Sequence, residues 1–565
     1  MPNKRYILRS FFVFSFLIFC LIAFSVKLVL LQIYRSEHLA SLAEKQHNHL
    51  IEHEPIRGSI FDRYGRTLAV NVPVYSLYAN PRQMTSSDKS EAVDQLSGIL
   101  ELPEEFLLQR LARKKYFIWL KRKLPMDQVE QVKALNLKGI GFIKESKRFY
   151  PNAHLASHII GFAGIDNQGL EGIELSYDER LKGKPGWSLN LRDARQHELM
   201  IEKDFIPPVN GLDLVLTIDE TIQFLAEQAL EKAYVKHNAK SGTIIVMNVR
   251  TGEILALANR PTYDLGDVHK SDVEDRTNRA ISFVYEPGSV FKIVTAAAAL
   301  EEEAFVESDQ IFCENGEYRV ANHILHDHKP HGNLTFKNVF VKSSNIGVAK
   351  VAQKLGSQII YKYGKRFRFG MPTKVDLKGE VAGYLKSPKY WSKTTIGAIP
   401  MGHEVTVTPL QLVSAIAAVA NDGIYMRPFV VKYIKDKRGN LIQNFQPTVV
   451  DRVISVDTAR RLKAILKEVV DSGTATRAKI EGISVGGKTG TAQKVIDGKY
   501  SHSKFYASFI GFAPVEQPLL AAVVVFDEPH PSYFGGTVSA PVFKEVIENA
   551  LKYLNSKEPQ QTAKN

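Results

Sequence analysis

The sequence predicts an α+β fold, with an antiparallel sheet and flanking helices, set on an elongated domain that follows one N-terminal transmembrane helix. Three patterns predict it. An apolar run lies near the N-terminus, and several short apolar segments in the second half are bounded by turn signals. Near the C-terminus, apolar residues recur with the period of a helix. At 565 residues, the chain is also too long for a single hydrophobic core.

Residues 11–31 form an apolar run whose helix would be roughly 31 Å long, close to the thickness of a bilayer core. Lys4, Arg5 and Arg9 precede it without any acidic residue. Because positive charge beside a span stays in the cytoplasm, we expect residues 1–10 to be a cytoplasmic tail and everything after the span to be extracytoplasmic. A cleaved signal peptide is the alternative, but no small-x-small cleavage site follows the run.

A cluster of breaking residues, Pro207–Gly211, divides the rest of the chain. We expect a membrane-proximal pedestal domain over residues 32–206 and a second, α+β domain over residues 207–555. The polar start of the pedestal, residues 34–54, has scattered Leu and Ile at helical spacing, which predicts an exposed helix. The final residues, 556–565, are polar and predict a disordered tail.

Periodicity places the remaining elements. In the pedestal domain it predicts a strand at 68–78 and charged helices over 85–145. In the second domain it predicts an amphipathic helix at 542–554, lying on a sheet. The predicted strands of that sheet are a hairpin of Thr243–Val249 and Ile254–Ala258, followed by Ile483–Thr491, Phe505–Phe512 and Leu519–Phe526.

The composition is basic, with a formal net charge of +13, which suits an anionic membrane surface or an acidic polymer. The sequence has no zinc-finger spacing, RNP-like string or dense arginine stripe, so nucleic acid is not an expected partner. Cys20 lies in the membrane run, so a disulfide with Cys313 is not expected. The fold must therefore be stabilised by packing.

Ser289 and Lys292 are the first candidates for catalysis. Pro287 and Gly288 break the chain, and an apolar helix begins at once, which places the serine at a helix N-terminus with the lysine one turn later. A serine needs a neighbouring base to act as a nucleophile, and a buried lysine can be neutral enough to serve. The helix N-terminus also offers free N–H groups for an oxyanion. An ordinary capping serine is the alternative.

The spacing Ser-x-x-Lys alone is weak, because Ser86/Lys89 and Ser501/Lys504 repeat it in polar surroundings. Two later motifs strengthen the first. Ser343-Ser344-Asn345 brings a hydroxyl and an amide, and Lys488-Thr489-Gly490-Thr491 brings an amine and two hydroxyls on a predicted strand. A strand edge at Gly490 can bind an extended peptide, and Lys488, Thr489 and Thr491 could bind its terminal carboxylate. We expect the N–H groups of Ser289 and Thr491 to form an oxyanion hole.

Other polar groups have simpler interpretations. His323, His326, His328 and His331 could suggest a metal centre, but their spacing fits no standard zinc motif, and a hydrogen-bonding loop is the better interpretation. Arg57, Asp62 and Arg63 are interpreted as a structural ion-pair group at a domain junction.

Ser-x-x-Lys, Ser-x-Asn and Lys-Thr-Gly in this order are the signature of penicillin-binding proteins and serine β-lactamases. Further stretches match strings of one class of these proteins: Arg57–Gly65, Gly169–Glu174 with Tyr177-Asp178 and Leu181–Gly183, Leu216–Asp219 with Gln223, Cys313–Asn345, Val407–Gln411 and Ala420–Gly423. With them, the chain resembles the class B penicillin-binding proteins, most of all the septum-specific type. The resemblance covers nearly the whole chain beyond the membrane run. The elongation-specific and sporulation-specific types are the alternatives within the family.

The resemblance implies a penicillin-binding transpeptidase domain and a D,D-transpeptidase reaction on peptidoglycan stem peptides. Ser289 would form the acyl-enzyme, Lys292 would be its base, and Ser343 and Asn345 would relay protons and hold the substrate amide. Lys488 would tune the field, while Thr489, Gly490 and Thr491 would bind the substrate end. β-Lactams would acylate Ser289, and no metal or organic cofactor would be needed.

The resemblance also implies an inner-membrane location and division proteins as partners, including a membrane-embedded SEDS-type glycan polymerase. Two other functions remain open. A secreted β-lactamase would carry the same three motifs, although the membrane run, the pedestal and the lack of an evident deacylating glutamate argue against it. A catalytically silent division scaffold would use only the pedestal and the anchor.

Overall fold

The computed structural model describes residues 4–39, 48–192 and 198–561. It divides the chain into two compact units, each made of two stretches: Met1–Ile56 with Gly183–Asn210, and Arg57–Lys182 with Gly211–Asn565. Because each unit contains two separate stretches, the units do not test a single boundary along the chain. The predicted boundary between residues 206 and 207 stays a prediction.

The first unit contains the predicted membrane span. A helix runs over Lys4–Val29 and continues as a π-helical turn over Leu30–Tyr34. The predicted helix at 11–31 is thus present, but it begins within the predicted cytoplasmic tail. In the part of the chain that the structure describes, Lys4–Tyr34 is the one helix long and apolar enough to cross a membrane.

The same unit has a three-stranded antiparallel sheet of Asn48–His53, Gly186–Arg192 and Glu198–Ile206, with Gly186–Arg192 in the middle. The predicted helix over 34–54 is therefore wrong at its end. Asn48–His53 pairs with a strand far along the chain, and local helical spacing carries no information about such a partner. Residues 40–47 of that prediction lie outside the described residues.

One sheet of the second unit has seven strands. It combines strands from residues 60–149 with strands from residues after 212. The predicted strand at 68–78 is confirmed as Thr67–Ala79. The prediction of helices over 85–145 is only partly right, because two segments of that stretch pair with Thr67–Ala79 as strands. The strands of the sheet are Leu441–Asn444, Val431–Lys435, Asp213–Leu216, Ile60–Phe61, Thr67–Ala79, Ile118–Leu124 and Ile140–Phe149. The helices in the first part of the second unit are Ser86–Leu100, Glu104–Leu111, Met126–Ala134, Ser157–Ile160, Gly172–Ser176 and Asp178–Leu181.

A second sheet, here called the central sheet, has five antiparallel strands and confirms the predicted hairpin and late strands. In spatial order they are Ile254–Arg260, Ser241–Asn248, Leu520–Asp527, Lys499–Ala513 and Gly486–Ile496. Alternate residues of one strand enter different cores: Ile245 and Met247 pack into one, Ile244 and Val246 into the other. Both faces of the sheet are therefore buried.

Helices cover both faces of the central sheet. Pro409–Ala420 packs on one face, and Glu220–Lys236 and Gly535–Gln561 pack on the other. The predicted helix at 542–554 is confirmed within the longer Gly535–Gln561 helix, so the predicted disordered tail is wrong for residues 556–561. The other main helices of this region are Lys292–Glu301, Phe336–Val341, Asn345–Leu355, Ser357–Arg366 and Val456–Asp471.

The predicted structural ion pair of Arg57 is confirmed and is almost fully buried. Its guanidinium donates to Glu174 Oε2 at 2.7 Å, to Asp178 Oδ1 at 2.6 Å and to the Asn167 carbonyl at 2.8 Å. Glu174 Oε1 accepts a second buried donor, Arg148 Nε, at 2.6 Å. This group, called the Arg57 network, connects the start of the second unit to residues 167–178.

Candidate active site

Ser289 lies in a single turn of 3₁₀-helix, Gly288–Phe291, which runs directly into the α-helix Lys292–Glu301. We call this stretch the 289 turn. The sequence predicts a helix N-terminus here, and the structure agrees, with a tighter first turn. Gly288 has φ +56°, and a Cβ added to it would lie 2.9 Å from the Thr491 carbonyl. The missing side chain thus lets the turn approach the Gly486–Ile496 strand.

Lys292 is fully buried and reaches the second motif. Its Nζ donates to the Ser343 carbonyl at 2.7 Å and to Asn345 Oδ1 at 2.8 Å, and it lies 3.2 Å from Ser343 Oγ. The helix that carries it is apolar and buried from Lys292 to Leu300, which holds the amine in a low-dielectric site.

Lys488 reaches the same hydroxyl. It is almost fully buried on the Gly486–Ile496 strand, and its Nζ donates to Ser343 Oγ at 2.9 Å and to the Thr489 carbonyl at 3.2 Å. Ser343 Oγ therefore contacts both amines. The structure thus brings together three stretches that are far apart in sequence, as the motifs predict.

Burial lowers the pKa of both amines. The pKa of Lys292 falls to about 7, because burial disfavours the ammonium more than the charge of Asp327 favours it. The pKa of Lys488 falls well below its usual range, first through burial and then through the nearby charge of Lys292. A neutral Lys292 amine is therefore accessible near neutral pH. This is the property that a general base requires.

We expect acylation by penicillin to rise about tenfold per pH unit below 7 and to level off above it, because only the neutral Lys292 amine can accept the Ser289 proton. The measurement is the second-order acylation rate constant of the full chain in detergent between pH 5.5 and 8.5. A rate that stays flat across this range would remove Lys292 from the role of base.

The residues predicted to bind the substrate lie on Gly486–Ile496, which has one neighbouring strand among the described residues. Thr489 Oγ1 lies 2.8 Å from Thr474 Oγ1, and Thr491 Oγ1 accepts the Gly535 N–H at 3.2 Å. A Cβ at Gly490 would lie 2.8 Å from the backbone carbonyl of Pro287, too close without a shift of the backbone, which favours glycine there. The oxyanion hole of the Ser289 and Thr491 N–H groups stays a prediction.

Asp327 is a residue that the motif analysis did not identify as part of the site. Its carboxylate accepts Ser344 Oγ at 2.6 Å, the Asn345 N–H at 2.5 Å and the Ile346 N–H at 3.1 Å. It thus caps the helix that begins at Asn345 from a loop outside that helix. The Asn345 amide donates to the neighbouring carbonyl of His326 at 2.9 Å. A cap from a distant loop has no local sequence signal.

The two other Ser-x-x-Lys pairs lie in different surroundings. Ser86 is exposed, at the start of a helix capped by Thr85, and Ser501 Oγ accepts the backbone N–H of Lys504 in the exposed first part of the Lys499–Ala513 strand. Within the described residues, no group of three or more His, Cys, Asp or Glu side chains is arranged to hold a metal ion. The four histidines at 323–331 lie on and just after a short hairpin, Glu317–Val320 with His323–His326.

Family models match most of the chain. Residues 242–548 match the penicillin-binding protein transpeptidase domain, and residues 52–216 match the penicillin-binding protein dimerisation domain. A solved structure of penicillin-binding protein 3 from Mycobacterium tuberculosis, complexed with aztreonam, shares the fold. It has a TM-score of 0.69 and 26% identity, over 89% of this chain and 97% of that chain.

Curated relatives match over nearly the full length. The chain is 36% identical to stage V sporulation protein D of Bacillus subtilis (strain 168), over 97% of this chain and 86% of that protein. It is 34% identical to the peptidoglycan D,D-transpeptidase FtsI of Escherichia coli (strain K12), over 88% of this chain and 84% of that protein. The chain belongs to the class B penicillin-binding proteins.

Proposed function

We propose that this chain is a peptidoglycan D,D-transpeptidase that cross-links stem peptides of the septal cell wall during division. The observation that carries the chemistry is the placement of two buried amines on one hydroxyl, Ser343 Oγ, beside the turn that bears Ser289. The family match and the relatives named as D,D-transpeptidases support the substrate class.

In the proposed first half-reaction, Ser289 Oγ bonds to the carbonyl carbon of the penultimate D-Ala while its proton passes to Lys292. The N–H groups of Ser289 and Thr491 stabilise the oxyanion. The amide C–N bond then breaks, and the departing D-Ala amine receives a proton through Ser343, which lies within reach of both amines. The product is an ester between the shortened stem and Ser289.

In the second half-reaction, an amino group of a neighbouring stem attacks the ester carbonyl and gives up its proton, and Ser289 Oγ departs protonated. Asn345 holds the substrate amide, since its side chain is itself fixed by Lys292 and the His326 carbonyl. Thr489 and Thr491 bind the terminal carboxylate from the strand edge, and Lys488 contributes to the field there. β-Lactams acylate Ser289 because they resemble the stem end.

The protein's proposed place is the inner membrane, which the single apolar helix and the FtsI-type relatives support. We propose that Lys4, Arg5 and Arg9 keep the N-terminus in the cytoplasm and that the second unit, which carries Ser289, works outside the cytoplasm. A membrane-embedded SEDS-type glycan polymerase and other division proteins are the proposed partners. Co-purification of the full chain with such a polymerase from detergent tests this part.

A second candidate is a sporulation-specific transpeptidase, because the match to stage V sporulation protein D spans 97% of the chain. Depletion distinguishes the two. Loss of a division enzyme produces filaments with incomplete septa, whereas loss of a sporulation enzyme leaves vegetative septa unchanged.

The test of the reaction supplies the full chain with glycan strands that carry pentapeptide stems and measures free D-Ala and cross-linked dimers. We expect both products from wild type and neither from Ser289→Ala. A wild type that yields neither product and takes up no penicillin would support the silent scaffold. One that hydrolyses penicillin rapidly, without cross-linking, would support a β-lactamase.

A further inference from the structure

A single carboxylate joins the 289 turn to two other parts of the second unit. Glu286 precedes Ser289 by three positions, and its side chain is only 13% exposed. The carboxylate accepts the Glu404 N–H at 2.9 Å, lies 2.8 Å from His403 Nδ1, and accepts the Tyr500 hydroxyl at 3.2 Å. None of these contacts takes part in the proposed reaction.

The backbone beside this carboxylate has a positive φ at three positions. Gly288 and Glu404 both have φ +56°, and Gly402 has φ +86°. Positive φ is uncommon for a residue such as Glu404, and it persists where surrounding contacts hold it. The Glu286 carboxylate supplies one such contact, because it accepts the N–H of Glu404 itself.

The 289 turn and residues 402–404 also pack directly against each other. The Gly288 N–H donates to the Gly402 carbonyl at 3.2 Å, and a Cβ added to Gly402 would lie 2.1 Å from the Gly288 carbonyl. Residues 402–404, called the 402 segment, therefore pack directly against the 289 turn. The 289 turn is continuous with the Lys292–Glu301 helix at one end, and these contacts hold its other end.

Tyr500 connects Glu286 to a third element. It lies at the tip of the hairpin that Gly486–Ile496 and Lys499–Ala513 form. Its hydroxyl donates to Glu286, and its ring packs edge-on against the His403 ring, with centroids 5.2 Å apart. The Lys499–Ala513 strand, the 402 segment and the 289 turn thus meet at one carboxylate. Hydrogen bonds to an ionised acceptor are stronger than those between neutral groups, which suits a glutamate at this junction.

We infer that Glu286 is a positioning residue: it locks the 289 turn against the 402 segment and the hairpin tip, and so directs Ser289 Oγ at the substrate carbonyl. The inference rests on the proposed role of Ser289 as nucleophile. A glutamate that only stabilised the fold would affect unfolding but not the acylation step.

The test compares three variants of the full chain in detergent: Glu286→Ala, Glu286→Gln and Glu301→Ala. Glu301 is the matched control, because it also accepts a backbone N–H and a hydroxyl, both from Ser455, but at the far end of the Lys292–Glu301 helix. Stopped-flow mixing with a fluorescent penicillin separates the non-covalent dissociation constant from the acylation rate constant.

We expect Glu286→Ala to lower the acylation rate constant about 10- to 100-fold, with the dissociation constant changed by less than about threefold, because the nucleophile is misdirected while the binding strand is intact. Glu286→Gln should recover to within about tenfold of wild type, since its amide oxygen still accepts the Glu404 N–H. Glu301→Ala should stay within about twofold of wild type, because the contacts it loses lie away from Ser289.

The inference is overturned if Glu286→Ala acylates at the wild-type rate, if Glu301→Ala slows as much, or if only the dissociation constant changes. Should Glu286→Ala not fold, Glu286→Gln and Tyr500→Phe carry the test. Tyr500→Phe removes one donor and should slow acylation about two- to tenfold. A wild type that does not acylate, or a Ser289→Ala variant that does, would instead refute the proposed function.

Discussion

Lys292→Met should lower the rate constant of acylation by penicillin about 10²- to 10⁴-fold, the contribution expected of a positioned general base. The amine is fully buried, and its pKa is lowered to about 7, so it can accept the Ser289 proton near neutral pH. Methionine keeps much of the volume of the side chain and removes its basicity. The measurement is the acylation rate constant of the full chain at pH 8.

The matched control for this change is Lys504→Met, in the Ser501/Lys504 pair that repeats the same spacing. Lys504 is 46% exposed and pairs with Glu528 at 3.2 Å, so its loss should leave acylation unchanged. Near-UV circular dichroism establishes that both variants are folded. Acylation of Lys292→Met within about threefold of the wild-type rate would show that another group removes the serine proton.

Arg57→Ala should reduce the free energy of unfolding by about 3–5 kcal/mol, because it leaves Glu174 and Asp178 without their shared cation in a buried site. Arg148 still pairs with Glu174 at 2.6 Å, so one charge remains partly compensated. The measurement is the midpoint of urea unfolding of the full chain in detergent.

The control for Arg57 is Arg460→Ala. Arg460 is 75% exposed and pairs on the surface with Asp457, so its removal should not shift the midpoint. An Arg57→Ala variant with the wild-type midpoint would mean that the Arg57 network adds no net stability. Penicillin acylation by the folded fraction should persist, because Arg57 contacts none of the motif residues.

The three motifs predict the chemistry of the site well. Each motif is a short run of residues, and the chemical groups of its side chains can be named from the sequence alone. Ser289, Lys292, Ser343 and Lys488 are read from the sequence, and the structure brings the latter three into contact. Contacts from outside the motifs could not be predicted. Asp327 is separated in sequence from the helix that it caps, and Glu286 binds donors at 403, 404 and 500, so neither follows a local rule.

The fold is predictable where the hydrophobic period is strong and local. The central-sheet strands and the Gly535–Gln561 helix follow from such periods. Predictions are wrong where a distant partner decides, as at Asn48–His53 and Ile118–Leu124, which become strands by pairing with remote segments. The Gly535–Gln561 helix also extends past residue 554, the end of the predicted apolar pattern, because polar residues continue a helix once it has formed.

The assignment of the nucleophile is tested most directly by peptide mapping of the penicillin adduct. The full chain is treated with penicillin, its intact mass is measured, and the modified peptide is sequenced by mass spectrometry. We predict one adduct per chain, on Ser289. An adduct on Ser86, Ser343 or Ser501, or an unmodified chain after prolonged exposure, would contradict the assignment.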